Sequence, residues 1–518
     1  MQGLMEHGVV RKRCRDCLRV ALLYPAVYSA AVHSLAYQNL YYMLNSLAYV
    51  VAERFVAHSM AGLEPPPRSL ETGAPLADFD LILVPVSYEL DYVTLARMLL
   101  AAGLEPLRSR RRDAPPVVVG GPVPSMNPVP ALQLADMVLL GEAEPTVPLL
   151  AEEAYARGPW GALEALACHP GFLAPGCSRV RKAVARSLDS APHSVVQFRV
   201  PGSGEPWGEA YMVEASRGCP HMCRFCMESH FLLPTRHRSA KKILGLIERG
   251  VEANKVSKVA FYALSFFDHP AGDKLLEETV HGMGLEVTIG SLRADQLDEH
   301  KLQLLAEAGQ RHVSIAPETL SPGLCRAIGK CIGYDKVEEV SVAAWRQGLR
   351  VKLYLMLGLP GERDEDIEGY AEKLRSLAAK APPRREALKV SVNPLVPKPH
   401  TPLQWHPLID RRSYEARLRI LRRASSKVAS IEGLSYRYAY AQAVVARGDE
   451  KIGEAIVEWA RLGGKLGQLR RAAKKVGAEP DLYAYRPLET GAPWHSLVDL
   501  MIPVAALRRA YEASLSTL

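Results

Sequence analysis

Three cysteines, Cys219, Cys223 and Cys226, spaced C-x3-C-x2-C, constrain this chain more than any other stretch. They follow an apolar run, Tyr211-Met212-Val213-Glu214-Ala215, in the segment Arg217-Gly218-Cys219-Pro220-His221-Met222-Cys223-Arg224-Phe225-Cys226. Thiols packed so closely converge only if the backbone wraps around something they all bind. Soft thiolates select zinc or an iron–sulfur cluster. A cubane cluster ordinarily takes four cysteines, so three from one loop would leave one iron open to a further ligand. The zinc alternative needs His221 or His230 as a fourth ligand. Zinc sites more often read as paired units, and no second pair lies nearby in the sequence.

A length of 518 residues exceeds one ordinary core and suggests roughly three domains. With 48% hydrophobic and 23% charged residues, the composition is that of a soluble globular protein. No apolar stretch approaches the ~20 residues needed to span a bilayer, and the basic start lacks the apolar segment of a secretory signal. Nine cysteines, three of them claimed by the loop, argue for a reducing, cytoplasmic location. Cys14, Cys17, Cys168 and Cys177 leave two readings open: free thiols, or a second metal site holding zinc or an auxiliary cluster. A net charge of +8 is mild, but basic clusters stand at Arg108–Arg112, Arg411–Arg423 and Arg470–Lys475. They read as solvated faces or as contacts to RNA phosphates.

Before the cysteine loop, apolar runs at 19–25, 81–87, 116–121 and 137–142 alternate with amphipathic stretches, including a long one from His33 to Phe55. Strands alternating with helices, with glycine at strand ends, predict a doubly wound, Rossmann-like parallel sheet over 19–160. Such sheets bind ligands at the carboxyl ends of their strands, which places Gly120, Gly121 and Gly141 on a common rim. Residues 1–18 form a basic leading segment and 161–208 a connector with Pro201-Gly202-Ser203-Gly204.

Over 209–410 the alternation resumes, with strands expected at 211–215, 258–265, 285–291, 312–316, 350–357 and 388–394. Six strands with interleaved helices predict a partial (β/α)6 barrel, with its chemistry at the carboxyl ends of the strands. Ser265, Arg293, Glu318 and the turn Gly358-Leu359-Pro360-Gly361 occupy such ends. The sixth strand leads into Pro397-Lys398-Pro399-His400-Thr401-Pro402, whose prolines stiffen a loop suited to substrate binding or to a structural lid. Lys398 and His400 are its candidate catalytic residues. Residues 411–518 are expected to form a helical carboxyl-terminal cap.

The cysteine loop resembles the signature of the radical SAM superfamily. Gly120-Gly121-Pro122, Ser291-Leu292-Arg293, Ala316-Pro317-Glu318, the Pro397–Pro402 loop, Ala446-Arg447-Gly448-Asp449 and Tyr483-Ala484-Tyr485-Arg486 occur with it in one order. Together they resemble a largely uncharacterised radical SAM family with a cobalamin-binding-like amino-terminal domain, similar to groups described as YgiQ-like or as Fe–S oxidoreductases. The resemblance implies a 4Fe–4S cluster on Cys219, Cys223 and Cys226 whose open iron chelates S-adenosylmethionine. It implies that Arg293 clamps the methionine carboxylate, Glu318 lies near the amine or ribose, and Gly358, Pro360 and Gly361 line the adenine. Ser265 stands where relatives often carry Gly-Gly-Glu. The chain has no Asp-x-His-x-x-Gly, the loop that supplies a cobalt-ligating histidine, so cobalamin is an open cofactor. The implied activity is reductive cleavage to a 5′-deoxyadenosyl radical, with cobalamin-dependent methylation as the leading reaction. Sulfur or methylthio insertion into RNA or protein, with an auxiliary cluster, is the second. A zinc-stabilised RNA-binding protein is the rival from another class. An electron donor such as ferredoxin or flavodoxin is implied as partner, and the substrate is undefined.

Overall fold

The apolar runs of the amino-terminal half are buried on both faces, as the strands of a covered parallel sheet must be. Val20, Leu22, Val117 and Val119 are all fully buried. The computed structural model describes residues 6–200, 209–488 and 491–516; the expected turn at 201–204 lies outside them. Its contacts divide the chain into two compact units, one of residues 1–206, 398–400 and 441–503, the other of 207–397, 401–440 and 504–518.

In the first unit, β1 (Leu18–Tyr24), β2 (Val50–Val56), β3 (Leu81–Pro85), β4 (Val117–Gly120) and β5 (Met137–Leu139) run parallel, in the order β2-β1-β3-β4-β5. β6 (Phe172–Leu173) closes the edge antiparallel to β5. The long amphipathic run expected from His33 to Phe55 breaks in two. A helix stops at Ser46, and the β-branched Val50 and Val51 start β2. Asn45 fastens the join, its side chain bonding both the carbonyl and the N–H of Ala52 at 3.0 and 3.1 Å. The connector also contributes β7 (Val180–Arg181), which pairs in parallel with Val498–Asp499.

In the second unit, all six expected strands form. They are β8 (Tyr211–Glu214), β11 (Lys258–Tyr262), β12 (Glu286–Ile289), β13 (His312–Glu318), β14 (Arg350–Leu357) and β15 (Leu388–Pro394). Between β8 and β11 lies a short antiparallel ribbon of β9 (Ser216–Arg217) and β10 (Arg236–His237). β8, β11 and β12 make one parallel sheet and β13, β14 and β15 another, joined by an isolated parallel bridge between Leu292 and Ile315. A seventh strand, β16 (Ala429–Gly433), pairs in parallel with β15, in a stretch expected to be helical.

The expected cap over 411–518 is not one body. Residues 411–440 and 504–516 pack with the barrel, whereas 441–488 and 491–503 belong to the amino-terminal unit. There Asn127 Nδ2 donates to the carbonyls of Ala446 and Gly448 at 3.0 and 2.8 Å. No helix among the described residues is long and apolar enough to cross a membrane.

Candidate functional site

The cysteine loop leaves β8 and is closed at its neck by the β9–β10 ribbon, where Arg217 faces Arg236 and Ser216 faces His237. Gly218 makes that neck possible. Its φ is +88°, and a Cβ there would stand 2.7 Å from the Leu232 carbonyl oxygen and 3.0 Å from Thr235 Cα. The other end is anchored on the helix Pro322–Ile328: the Arg224 N–H donates to the Ile328 carbonyl at 2.9 Å, and its guanidinium to Ala327 O and Ser514 Oγ.

The three loop cysteines are free thiols. Every other cysteine is paired, as Cys14–Cys17, Cys168–Cys177 and Cys325–Cys331. This pairing corrects the expectation that Cys14, Cys17, Cys168 and Cys177 are either free or share a metal site. Burial pushes the Cys219 thiol up, and that of Cys223 to about 11, against the lowering influence of the Arg293 charge on both and of Lys330 on Cys223. Buried neutral thiols become ligands when a metal supplies the positive charge that displaces their protons.

A polar chain runs from the loop across the ends of β11 and β12. His221 Nε2 lies 2.8 Å from Asp268 Oδ2, Gln296 Nε2 donates to Asp268 Oδ1 at 2.5 Å, and Ser265 Oγ donates to Gln296 Oε1 at 3.1 Å. Ligand atoms of Cys219, His221 and Asp268 all lie within 4.8 Å of one another. Arg293 holds Asp295 in a fork at 3.1 and 2.7 Å, so the guanidinium expected to clamp a carboxylate already has one. Glu318 ends β13 at φ +67°. It is bonded to Lys330 Nζ at 3.0 Å, with burial holding its carboxyl above the usual range. Lys330 Nζ also lies 6.0 Å over the Phe225 ring.

Ser265, Arg293, Glu318 and the three cysteines thus share one end of the barrel. The Gly358–Gly361 turn follows β14 on the same end, but Gly358 is needed for packing. A Cβ at its φ of +84° would meet Ile409 Cβ at 2.7 Å. Its N–H donates to Glu362 Oε2, which also takes a bond from Arg417, both at 2.6 Å. Pro360 is buried and Gly361 exposed.

Lys398 and His400 belong to the other unit. Lys398 is ion-paired with the buried Glu89, whose other oxygen accepts from Gln442 at 3.1 Å. His400 is 2% exposed and its ring lies 5.3 Å from that of His495. The structure therefore gives both expected catalytic side chains structural surroundings within the amino-terminal unit. The rim glycines there are spoken for as well. A Cβ on Gly121 would meet Val86 O at 2.6 Å, one on Gly141 would meet Ala183 O at 2.1 Å, and one on Gly120 would touch Leu139 Cβ at 3.4 Å.

Asp268, Gln296, Lys330 and Gly218 were missed as site residues. Asp268 follows Ser265 by three residues, in Leu264-Ser265-Phe266-Phe267-Asp268, and Gly218 stands just before the first cysteine; Gln296 and Lys330 carry no sequence signal.

Residues 213–374 match the model of the radical SAM superfamily, and residues 36–161 match that for the amino-terminal part of radical SAM proteins. An uncharacterised protein of Methanocaldococcus jannaschii is 29% identical over 389 residues, 74% of this chain and 81% of the relative. An uncharacterised protein of Methanopyrus kandleri is 26% identical over 188 residues, 33% of this chain and 35% of the relative. The fold is similar to that of the radical S-adenosylmethionine methyltransferase TsrM from Kitasatospora setae, solved with cobalamin and a [4Fe-4S] cluster bound. That likeness has a TM-score of 0.55 at 16% identity and covers 89% of this chain and 99% of the other. With its cysteine-bearing barrel and its amino-terminal sheet each matched by a model for radical SAM proteins, the chain belongs to the radical SAM superfamily.

Proposed function

We propose that this protein is an enzyme that holds a 4Fe–4S cluster on Cys219, Cys223 and Cys226 and uses it on S-adenosylmethionine. The carrying observation is chemical sorting of the cysteines: six are paired with each other and the three loop thiols are left for a metal. Three thiolates from one loop fit a cubane with one open iron. Held by these residues and reduced by an external electron donor, such a cluster would supply one electron to the sulfonium, the chemistry that breaks the C5′–S bond to give methionine and a 5′-deoxyadenosyl radical able to take hydrogen from a substrate carbon.

The chain's own residues hold and orient. Asp268, kept in place by His221 and Gln296, offers a carboxylate to an amine, and Arg293 offers the guanidinium edge that Asp295 leaves uncovered to a carboxylate. Glu318 and Lys330 form a polar wall beside Cys223. Cobalamin enters from the likeness to TsrM, whose structure holds it; the closeness of Gly121 and Gly141 to the chain's own backbone explains why they are glycines and does not bear on it. No step is derived through it. Cobalamin-dependent C-methylation is the finer reading, taken from the likeness to TsrM.

The convergence of Cys219, His221 and Asp268 favours a second reading, in which the loop binds zinc in an RNA-binding protein. Methylthio insertion loses its auxiliary cluster, since the cysteines proposed for it are paired. Metal analysis of anaerobically purified protein separates the readings. About four irons per chain, lost in Cys226→Ser, support the cluster; bound zinc without iron contradicts it.

A further inference from the structure

Where the barrel strands begin, at the end opposite the cysteine loop, three cations line a cavity that the proposed chemistry does not use. The loops entering β15 and β16 lie side by side: Leu388 pairs with Ala429, and the Leu388 N–H donates to the Val428 carbonyl at 3.0 Å. Between them is a cavity of about 630 Å³ lined by Arg384, Arg385 and Lys427, with Ser426, Ser430 and the single carboxylate Glu386. Arg385 and Lys427 are exposed, and neither they nor Arg384 make an ion pair among the described residues. Arg384 is fixed, its Nη1 donating to Gly348 O at 3.1 Å, while its Nε and the nearby Ser430 Oγ are buried without a hydrogen-bond partner among the described residues.

The helix Arg411–Arg422 runs directly into this cavity's wall and extends its charge. Arg411, Arg417 and Arg423 are neutralised by Glu415, Glu362 and Glu368. Arg412, Arg419 and Arg422 are exposed and have no ion pair among the described residues. Their spacing of seven and then three residues keeps them on one face, a line about 15 Å long that ends at the cavity.

We propose that this cavity and the adjoining arginine line bind the phosphates of a nucleic-acid strand. Arginine forks and serine hydroxyls suit phosphate oxygens. A line of cations suits a polyanion better than a single phosphate. No aromatic side chain lines the cavity, so the backbone is held and no base is stacked. An acidic electron carrier would meet the same charge. However, a seven-residue strand such as β15 is about 20 Å long, which sets the cavity far from the thiols an electron must reach. The proposal does not rest on the cluster's identity.

Binding of a labelled single-stranded RNA of about 20 nucleotides is read by fluorescence anisotropy on the full, anaerobically reconstituted protein between about 50 and 200 mM salt. Arg384→Gln/Arg385→Gln/Lys427→Gln should weaken binding about tenfold at low salt and lower the log–log salt slope by about 2, the value for three lost contacts to a single strand. Arg470→Gln/Arg471→Gln, in a separate basic cluster, should leave both unchanged. Circular dichroism and iron content confirm that the variants fold. Binding by the triple variant equal to that of the parent overturns the proposal, as do equal losses in both variants or no binding by the parent. Competition by polyglutamate as strong as that by unlabelled RNA would assign the surface to acidic protein and also overturn it; inorganic phosphate alone should compete only weakly.

Discussion

Gly218 decides whether the cysteines can meet at all. In the left-handed region and 2.7 Å from a backbone oxygen at its Cβ position, it tolerates no side chain without reopening the neck that β9 and β10 close. Strain of this kind costs about 1–3 kcal/mol. Gly218→Ala is therefore expected to lower the iron retained after reconstitution several-fold while leaving far-UV circular dichroism unchanged; iron content equal to the parent would refute it. Asp91 governs a different loop, its Oδ2 accepting from the N–H groups of Ser87 and Tyr88 at 3.1 and 2.9 Å. Burial raises its carboxyl to about 7, above the value of about 3.9 in an unfolded chain. Between those values the native state binds the extra proton, so stability falls as pH rises through the window. Asp91→Asn removes that titration. The melting temperature of the variant relative to the parent should rise between about pH 5 and 7 and then level off.

At the scale of elements, the short helix Pro322–Ile328 and the turn after it connect two parts of the site. Ala327 and Ile328 hold Arg224 of the cysteine loop, the Cys325–Cys331 disulfide closes the turn, and Lys330 within it pairs with Glu318. Removing one member of a mostly buried pair leaves a charge without a counterion, a loss of about 3 kcal/mol. Lys330→Met should lower the unfolding free energy from denaturant titration by that order, and adding Glu318→Gln should recover most of it. If the site is as proposed, neither variant regains the parent's affinity for S-adenosylmethionine by calorimetry. None of this was legible beforehand. Glu318 was visible as a strand end, but its partner comes from a turn with no periodicity, and a disulfide pairing cannot be deduced from cysteine spacing. The strands of the amino-terminal sheet were legible because parallel strands covered on both faces read as continuous apolar runs, and those of the barrel because buried residues alternate along them, as in Leu388-Lys389-Val390-Ser391-Val392 of β15. β2 and β16 were not, the first because it continues an amphipathic helix without a glycine or proline between them, the second because its five residues, Ala-Ser-Ile-Glu-Gly, are too polar.

For the whole molecule, the strands of the barrel follow one another in sequence order, and those of the amino-terminal sheet do so except that β2 lies outside β1, whereas the way the chain divides does not follow the sequence. Residues 398–400 and 441–503 join a unit whose sheet ended more than two hundred residues earlier. The segment is held by the amphipathic helix Glu450–Arg461, which buries Ile452, Ile456 and Trp459 against the helices Asp91–Ala101 and Pro128–Leu134, and by polar bonds such as Lys398 with Glu89 and Asn127 with the Ala446 and Gly448 carbonyls. An amphipathic helix shows in a sequence, but which sheet it covers does not. Lys398 and His400, which the sequence places in a stiff loop after a barrel strand, accordingly lie in the amino-terminal unit. The cysteine loop, in contrast, declares its chemistry by residue type and spacing alone, and the fold adds the neck, the anchors and the polar chain through Asp268. The central claim is that these thiols carry a cluster that cleaves S-adenosylmethionine. Its most direct test is mass spectrometry of the nucleosides formed when anaerobically reconstituted protein meets S-adenosylmethionine and a strong reductant. The account predicts 5′-deoxyadenosine from the parent and none from Cys226→Ser; equal amounts from both, or a fully zinc-loaded parent that forms none, would contradict it.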